Sequence, residues 1–352
     1  MTIALVSLYS FLLIAKAVFV LRYPKSPAHI DKDVTIVQTI LSGDPLLEPT
    51  LERNLDAHPE AQFLWMIDEE DTEAWRIARK CARPRLQAQA CPPPRNGENP
   101  KLVKLIRALE LVTTQRLTVL DDDTILPGPL PSGALVTGLP VFTAKGSIYE
   151  RLIGGFVNGS ALLTYLPAAR LGLQRTINGM IYSVDAHQLR SLGGFAAAGH
   201  ELTDDYAVAR LYTSNRLSIT QSTAPAFVAM TITGPGHYVS VMRRWMIFAA
   251  RYFGDNATVA TTFWIALPGL LPLVGFLLQP TVWAVLLPMK ALLNRALLWH
   301  VTGFLSTGLD LVFECAADLL TPFWTLLAFV RPRRLTWRTR IIEVDAGAIR
   351  YK

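Results

Sequence analysis

The 352-residue sequence holds only three cysteines, Cys81, Cys91 and Cys315, an odd number with neither metal-type nor framework spacing. This excludes a secreted disulfide scaffold and a cysteine-ligated metal centre, and it fits a reducing compartment. No internal repeat and no long low-complexity segment appears, so nothing points to a repeat architecture. Charged residues are sparse at 18%, with a net charge of +6. That excess is not an aromatic-interleaved basic patch, which argues against a nucleic-acid partner. Five arginines fall instead between Arg331 and Arg340, directly after an apolar run, as a cytoplasmic anchor to a membrane surface would. The first apolar run lacks both a basic leader and a small-x-small cleavage site, against the alternative of a cleaved signal peptide.

Apolar residues are abundant. At 51% hydrophobic and a mean hydropathy of +0.29, the chain reads as a membrane protein. Thr2 to Leu21 is long enough to cross a bilayer, is interrupted only by Lys16, and is followed by Arg22 and Lys25, so a retained anchor (residues 1–22) leaving into the cytoplasm is expected. Residues 30–236 have the composition of a soluble α/β domain, with strands expected at Val34–Ile40, Gln62–Ile67 and Arg116–Leu120 and helices around Glu73–Cys81 and Pro100–Val112. The stretch Cys91 to Asn99, with three consecutive prolines, is expected as a loop. Residues 237–254 read as an amphipathic interfacial helix. Residues 257–330 contain three apolar segments, about Ala257–Leu278, Thr281–His300 and Val301–Val330, and 331–352 form the basic tail. The charge rule at both ends requires an even number of C-terminal crossings, so two crossings plus one interfacial segment are expected. Asp310, Glu314 and Asp318 recur every four residues and share one helix face, which is expected to face protein or the aqueous interface, with tail arginines or Lys290 as partners.

Three acidic turns follow apolar runs. Asp121-Asp122-Asp123 comes directly after the run Leu117–Leu120, at a strand end where ligands of open α/β sheets bind. Alternate carboxylates there can hold Mg²⁺ or Mn²⁺ against a diphosphate leaving group, or they can be a solvated turn. Asp68-Glu69-Glu70-Asp71 follows a second strand; its leading members, Asp68 and Glu69, could bind a nucleotide's base or ribose, or the run could be a solvated loop. Asp204-Asp205-Tyr206 reads either as a helix N-terminus or as the place of a general base acting on an acceptor hydroxyl. Arg243-Arg244-Trp245 could neutralise a diphosphate and pack beside an acceptor, or simply anchor a helix at a membrane surface.

The order of these elements resembles the lipid-directed GT-A glycosyltransferases with spaced aspartates followed by (Q/R)xxRW, and in particular the ceramide glucosyltransferase family. Asn99-Pro100-Lys101 is similar to that family's NPK element, Asp121-Asp122-Asp123 to its DxD, and Asp204-Asp205-Tyr206 to its acidic-acidic-Tyr element. The tail Leu335 to Arg340 is similar to its C-terminal WRT/G-R element. The resemblance covers nearly the whole chain. It implies a GT-A (nucleotide-diphospho-sugar transferase) domain with a mainly parallel mixed sheet, flanked by N- and C-terminal transmembrane and interfacial helices. It further implies a metal at Asp121 and Asp123, donor contacts from Asp68, Glu69, Lys101, Asp122, Arg243, Arg244 and Trp245, and a catalytic Asp205 with Asp204 beside it.

The implied reaction is transfer of a single sugar, with inversion, from a UDP-sugar to the hydroxyl of a membrane lipid. The acceptor implied first is ceramide or another sphingoid lipid. A hopanoid or other bacterial lipid, with UDP-GlcNAc as donor, is the alternative. Val241 stands at the first position of (Q/R)xxRW and cannot hydrogen-bond a phosphate or hydroxyl, so either Arg243 substitutes or the acceptor differs. A multi-pass protein of a bacterial inner membrane with a cytoplasmic catalytic domain is expected. A non-catalytic scaffold with a degenerate GT-A fold is the competing class, although all three acidic positions are kept; a small transporter is disfavoured by the size of the soluble segment.

Overall fold

The computed structural model describes residues 2–26, 33–95, 98–143, 145–198, 203–329, 333–337, 340–345 and 348–351. In chain order the elements are α1 (Thr2–Leu21), β1 (Val34–Ile40), α2 (Leu47–Ala57), β2 (Gln62–Asp68), α3 (Thr72–Lys80), β3 (Leu86–Cys91), α4 (Pro100–Leu111), β4 (Arg116–Leu120), β5 (Thr124–Ile125), β6 (Leu135–Phe142), α5 (Ile148–Arg170), β7 (Ile181–Asp185), α6 (Ala186–Ser191), a 3₁₀ turn (Phe195–Ala198), α7 (Asp204–Ser214), β8 (Ile219–Val228), α8 (Pro235–Asn256), α9 (Val259–Thr261), a π-helical turn (Thr262–Ala266), α10 (Leu267–Leu278), α11 (Pro280–Thr302), α12 (Gly308–Leu327), β9 (Arg333–Trp337), β10 (Arg340–Asp345) and β11 (Ala348–Tyr351). The chain divides into two compact units. An α/β unit is built from Ser26–Gly138, Arg175–Thr231 and Arg331–Lys352, and a helical unit from Met1–Lys25, Leu139–Gln174 and Ile232–Val330.

The α/β unit holds an eight-stranded mixed sheet in the order β3-β2-β1-β4-β7-β6-β8-β5. Its first half is parallel, with Thr35 opposite Gln62 and Val34 opposite Arg116; β7 is then antiparallel to both β4 and β6. Successive strand residues point to opposite faces, and the strands divide their apolar residues accordingly. Val37, Leu64, Met66, Leu117 and Val119 pack with Leu102, Leu105 and Leu109 of α4 and with Val208 and Tyr212 of α7. Ile36, Ile40, Phe63, Trp65 and Ile67 pack with Leu47, Leu51 and Leu55 of α2 and Ile77 of α3. Burial on both faces explains why β2 reads as an unbroken apolar run. The indole of fully buried Trp65 donates to the Gln38 side chain at 2.9 Å, so its polar atom is satisfied inside the core.

Expected strands and helices of the first 120 residues are present within one or two residues of their ends. The sequence reading lacks β3, an edge strand of alternating Gln and Ala with little apolar signal. The arginine-rich tail, expected as a surface anchor, contributes β9 to β11 as a three-stranded antiparallel sheet. Arg331, Arg338 and Thr339 lie outside the described residues, as does Gly199 of the turn before α7.

Four helical segments of the helical unit are long and apolar enough to cross a membrane: Ile3–Leu21, Ile148–Arg170, Val259–Leu278 and Pro280–Thr302. The second was read as part of the α/β segment. Its apolar run is broken by Gly154, Gly155, Asn158, Gly159 and Ser160, and those small residues let another backbone approach. A Cβ at Gly155 would lie 2.4 Å from the Phe313 carbonyl oxygen, and one at Gly159 would lie 2.7 Å from Glu314 Cγ. Thus α5 and α12 meet almost backbone to backbone. The apolar segment expected from Val301 is instead split by Gly303, whose φ of +73° ends α11, and α12 starts at Gly308 behind a Thr307–Asp310 capping box.

The acidic stripe on α12 faces protein, as expected. Lys290 Nζ lies 2.9 Å from Glu314 Oε1 and 3.0 Å from Asp318 Oδ2, and it also donates to the Gly159 carbonyl at 2.8 Å. Lys290 is therefore the partner of two of the three acids. Asp310 pairs with Lys145 at 3.1 Å and Arg151 at 3.0 Å, and not with the tail.

The close approach of α5 and α12 has a direct test. Gly155→Ala improves helix propensity by about 1 kcal/mol yet places a methyl against the α12 backbone, so it is expected to lower the melting temperature of the detergent-solubilised protein. Gly236→Ala on α8, where a Cβ would meet nothing within 4 Å, is expected to leave it unchanged or raise it. Equal behaviour of the two variants would contradict the helix contact.

Candidate active site

The site grows from the first turn of α4. Asn99 caps that helix through its side-chain oxygen, which accepts from the Lys101 and Leu102 amides at 2.9 and 3.3 Å, and Pro100 occupies the first helical position. The Asn-Pro-Lys sequence is thus a helix start whose third residue is aimed by the cap. Lys101 and Lys104, one turn apart, lie on the same helix face and are both buried. Lys101 Nζ contacts Asp121 Oδ1 at 2.7 Å and Asp204 Oδ2 at 3.2 Å, and it donates to the Gly179 carbonyl at 3.0 Å. Lys104 Nζ contacts Asp68 Oδ1 at 3.1 Å and donates to the Ile40 carbonyl at 2.9 Å. One helix turn therefore places an ammonium at each of the acidic turns that the sequence singles out.

Within those turns each carboxylate has its own environment. Asp121 follows the buried strand β4, and its amide donates to the Met180 carbonyl at 2.9 Å. Asp122 is buried, and its Oδ2 accepts from the Leu41 amide at 2.8 Å, which ties the end of β1 to the end of β4. Asp123 accepts from the Thr124 hydroxyl at 3.0 Å. At the end of β2, Asp68 is nearly buried while Glu69 and Glu70 are exposed. Asp71 caps α3, accepting from the Ala74 amide at 3.0 Å and the Ser42 amide at 2.8 Å. Part of the four-acid run is thus helix capping. Asp204 and Asp205 are the first two residues of α7, so the helix-start reading of this pair holds. Asp205 Oδ1 accepts from the Tyr206 amide at 2.7 Å. A Cβ at Gly179 would come within 2.9 Å of Asp205 Oδ2, so the absence of a side chain at 179 makes room for that carboxylate.

Asp121 and Asp204 pair with a single ammonium, Lys101, and Asp205, next to Asp204, lies in the field of both. Burial pulls Lys101 down, but Asp121 and Asp204 more than offset this and hold it charged. Burial, followed by the charge of Asp204, pushes Asp205 up to about 7, well above the ordinary carboxylate range. Tyr182 lies within the same field; burial and Asp204 raise its phenol, which stays neutral. With one cation for three carboxylates, the cluster retains negative charge that either a proton or a further cation can balance.

Among the described residues no group of three or more His, Cys, Asp or Glu side chains is gathered to hold a metal. A Mg²⁺ or Mn²⁺ site completed by a substrate diphosphate asks for only one or two carboxylates. The hard oxygens of Asp121 and Asp123, flanking buried Asp122, match that donor set.

Arg243, Arg244 and Trp245 belong to the helical unit, on α8. The Trp245 ring lies against Phe156 of α5 with centroids 6.2 Å apart and planes at 25°. Val241, which departs from the family motif, is only 3% exposed and packs inside this unit beside Tyr238 and Met242. A polar residue there would be buried, so the change to valine is matched by its surroundings. The sequence reading missed Lys104; the signal available for it was the lysine repeated at i and i+3 after the Asn-Pro pair.

Lys101→Met leaves Asp121 and Asp204 without their shared cation and is expected to destabilise the protein by up to roughly 3–5 kcal/mol. Lys101→Met with Asp204→Asn is expected to recover part of that loss in thermal unfolding. Equal melting temperatures for wild type and Lys101→Met would show that the bridge holds nothing together.

Residues 1–349 match the family model described as glycosyl transferase family 21. The mannosyltransferase PcManGT from Pyrobaculum calidifontis, solved in complex with GDP-Man and Mn²⁺, is similar at 15% identity over 93% of this chain and 94% of its own, with a TM-score of 0.50. Glucosyl-3-phosphoglycerate synthase from Mycobacterium tuberculosis, solved with Mn²⁺ and uridine-diphosphate-glucose, is 16% identical over 66% of this chain and 82% of its own, with a TM-score of 0.35. Only the first of these likenesses carries the fold, which is that of the GT-A glycosyltransferases. No curated protein matches the sequence. With its whole length matched and its strand-end acids arranged around α4, the chain belongs to glycosyl transferase family 21, the ceramide glucosyltransferase family, and is a nucleotide-sugar glycosyltransferase.

Proposed function

We propose that this enzyme transfers one sugar from a UDP-sugar to the hydroxyl of a membrane lipid of the ceramide or sphingoid type, in a single displacement that inverts the anomeric carbon. It is read as a multi-pass membrane protein whose α/β unit is cytoplasmic. The observation that carries the reading is that Asp121, after β4, and Asp204, at the start of α7, share the single ammonium of Lys101, with Asp205 next to them in the same charge field. This is an acidic site with room for one more cation and with one carboxyl poised near neutrality.

In this reading Asp205 takes the proton of the acceptor hydroxyl as its oxygen attacks the anomeric carbon, and the bond from that carbon to the diphosphate oxygen breaks to release UDP. A carboxyl at about 7 is well placed for such work, because a general base is most effective near the operating pH. Asp204, held by Lys101, orients the start of α7 and keeps Asp205 raised. Asp121 and Asp123 would hold Mg²⁺ or Mn²⁺, which when bound supplies charge neutralisation for the departing diphosphate. Asp68, kept in place by Lys104, would receive the uridine side of the donor together with Glu69. Lys101 and Asp122 fix the floor of the donor site, and Arg243, Arg244 and Trp245 would serve the diphosphate and the acceptor. The buried Val241 supports a second reading in acceptor choice, a hopanoid or other bacterial lipid with UDP-GlcNAc, because the position that carries Gln or Arg in the motif offers no polar group here.

Release of UDP by the purified protein in nanodiscs, with ceramide or a hopanoid as acceptor and with Mg²⁺, Mn²⁺ or chelator, tests the reaction. UDP release is expected to require an acceptor lipid and a divalent cation. A protein that releases UDP equally without any lipid, or in chelator, contradicts the proposal.

Asp205 makes two further predictions. Turnover is expected to climb as pH rises through about 7, since the base acts only when ionised. Asp205→Asn is expected to lose this limb and about 10²–10⁴-fold of the rate while still binding UDP. Stability runs the other way. Between about pH 4 and 7 the unfolded chain has released this proton and the folded chain retains it, so stability falls as pH rises through that window. Asp205→Asn escapes the penalty, and its melting temperature relative to wild type is expected to be a few degrees higher at pH 8 than at pH 4. The assignment fails if the variant turns over at the wild-type rate, or if the difference in melting temperature is the same at both pH values.

A further inference from the structure

A cleft with several charged side chains in its lining lies wholly within the helical unit. It is lined by side chains of α5, α11 and α12 and of the loops before α5 and between α11 and α12, among them Lys145, Arg151, Asn294, Arg295, Ser306 and Asp310. Its enclosed space is about the size of a single water molecule. A ligand can therefore place no more than a small group inside it and must leave the rest outside.

Two features of this cleft ask for a ligand. Asn294 is 1% exposed. Its amide nitrogen donates to the Asn158 carbonyl at 2.8 Å and to Glu314 Oε2 at 3.2 Å, whereas its Oδ1 has no hydrogen-bond partner among the described residues. A buried acceptor in that state is costly and calls for a donor such as a hydroxyl. The second feature is charge. Lys145 and Arg151 share one carboxylate, Asp310, and the only other carboxylate lining the cleft, Glu314, is engaged by Lys290. Counting Asp318, which also pairs with Lys290, four cations (Lys145, Arg151, Lys290, Arg295) meet three carboxylates (Asp310, Glu314, Asp318). Arg295 is the surplus cation, with no ion pair among the described residues. The cleft thus requires an oxyanion beside a hydroxyl.

The position of the cleft selects the source of that oxyanion. It is built at the start of α5 and the end of α11, both long and apolar enough to span a bilayer, and a connecting loop lines it, so it sits at the water–lipid boundary. The sequence neighbours of its lining residues, Trp299, Leu305 and Leu309, expose their side chains, as lipid-facing and interfacial residues do. We infer that this cleft binds the phosphate and a hydroxyl of an anionic phospholipid headgroup, with Arg295 on the phosphate and Asn294 Oδ1 accepting from the hydroxyl. Arg151 and Lys145, already shared with Asp310, supply the surrounding positive field. The lipid is a bound, non-reacting partner that fastens α5, α11 and α12 at one membrane face, and the inference is independent of which sugar or acceptor the enzyme uses.

Native mass spectrometry of the full-length protein, released from mixed micelles holding equal phosphatidylglycerol and phosphatidylcholine, reads this out. One phosphatidylglycerol is expected to be retained with roughly tenfold preference over phosphatidylcholine. Arg295→Gln, which removes an unpaired and half-buried cation, is expected to abolish the preference while keeping the wild-type melting temperature in phosphatidylcholine alone. Arg295→Lys is expected to keep most of it. Equal retention of the two lipids by wild type, or an unchanged preference in Arg295→Gln, overturns the proposal. A third arm adds sn-glycerol 3-phosphate at the same concentration as the lipid. Failure to displace the lipid is expected, and complete displacement overturns the lipid assignment in favour of a site for a soluble phosphate.

Discussion

The α/β unit depends on one buried ammonium. Lys101 reaches from the first turn of α4 to Asp121 after β4, to Asp204 at the start of α7 and to the Gly179 carbonyl before β7. Three segments separated by scores of residues in sequence are drawn to one point. Removing any of these charges from water is expensive, and their mutual attraction offsets that cost only where every hydrogen-bonding position is filled. Lys101 approaches the condition through two carboxylates at 2.7 and 3.2 Å and one carbonyl at 3.0 Å. The result is a fixed acidic corner whose surplus negative charge is held in place by the fold and is not free to relax.

The same device recurs in the helical unit. Lys290 contacts two carboxylates, Glu314 and Asp318, and the carbonyl of a glycine, Gly159. At both sites a glycine makes room for a carboxylate: Gly179 for Asp205 and Gly159 for Glu314. The charge balance differs. Around Lys290 the two carboxylates belong to a wider set in which cations exceed anions by one, whereas around Lys101 a third carboxylate, Asp205, tips the balance to negative. The two arrangements therefore differ in the sign of their surplus charge, and the difference comes from a few side chains added around the same core contact.

Much of the α/β unit was legible in the sequence because its strands are buried on both faces and so read as continuous apolar runs ending in acids. Gln62–Asp68 and Arg116–Leu120 announce themselves in this way, and Val34–Ile40 does so by its Val, Ile and Thr content alone. The strand Leu86–Cys91 does not, since it lies at the sheet edge and carries two glutamines. The helix Ile148–Arg170 was hidden for a different reason. A helix that packs through glycines and an asparagine buries its polar and small residues against other helices, so its hydropathy falls just where its packing is tightest. The acidic turns were visible as candidates, but their division of labour was not. Nothing in a run of four acids marks Asp71 as a helix cap and Asp68 as the partner of a lysine 36 positions onward, because that distinction is made by α4 and by the loop after β1.

Val241 shows how a departure from a family pattern is read once its surroundings are known. From sequence alone the loss of a polar side chain beside an Arg-Trp pair suggests either an altered acceptor or a neighbour taking over its role. The valine is buried on α8 with Tyr238, Met242 and Met246; Val241, Met242 and Met246 stand three, four and eight residues after Tyr238, so all four share one helix face. A glutamine or arginine there would need its own buried partner at a cost of about 1–3 kcal/mol if none were supplied. The substitution is thus as much a packing decision of the helical unit as a chemical one. Arg243 and Arg244, on the less buried side of the same helix, retain the positive charge that the motif brings. Under the proposed function, a change of acceptor specificity is then sought in the groups that reach those arginines and not in the valine, whose side chain is buried.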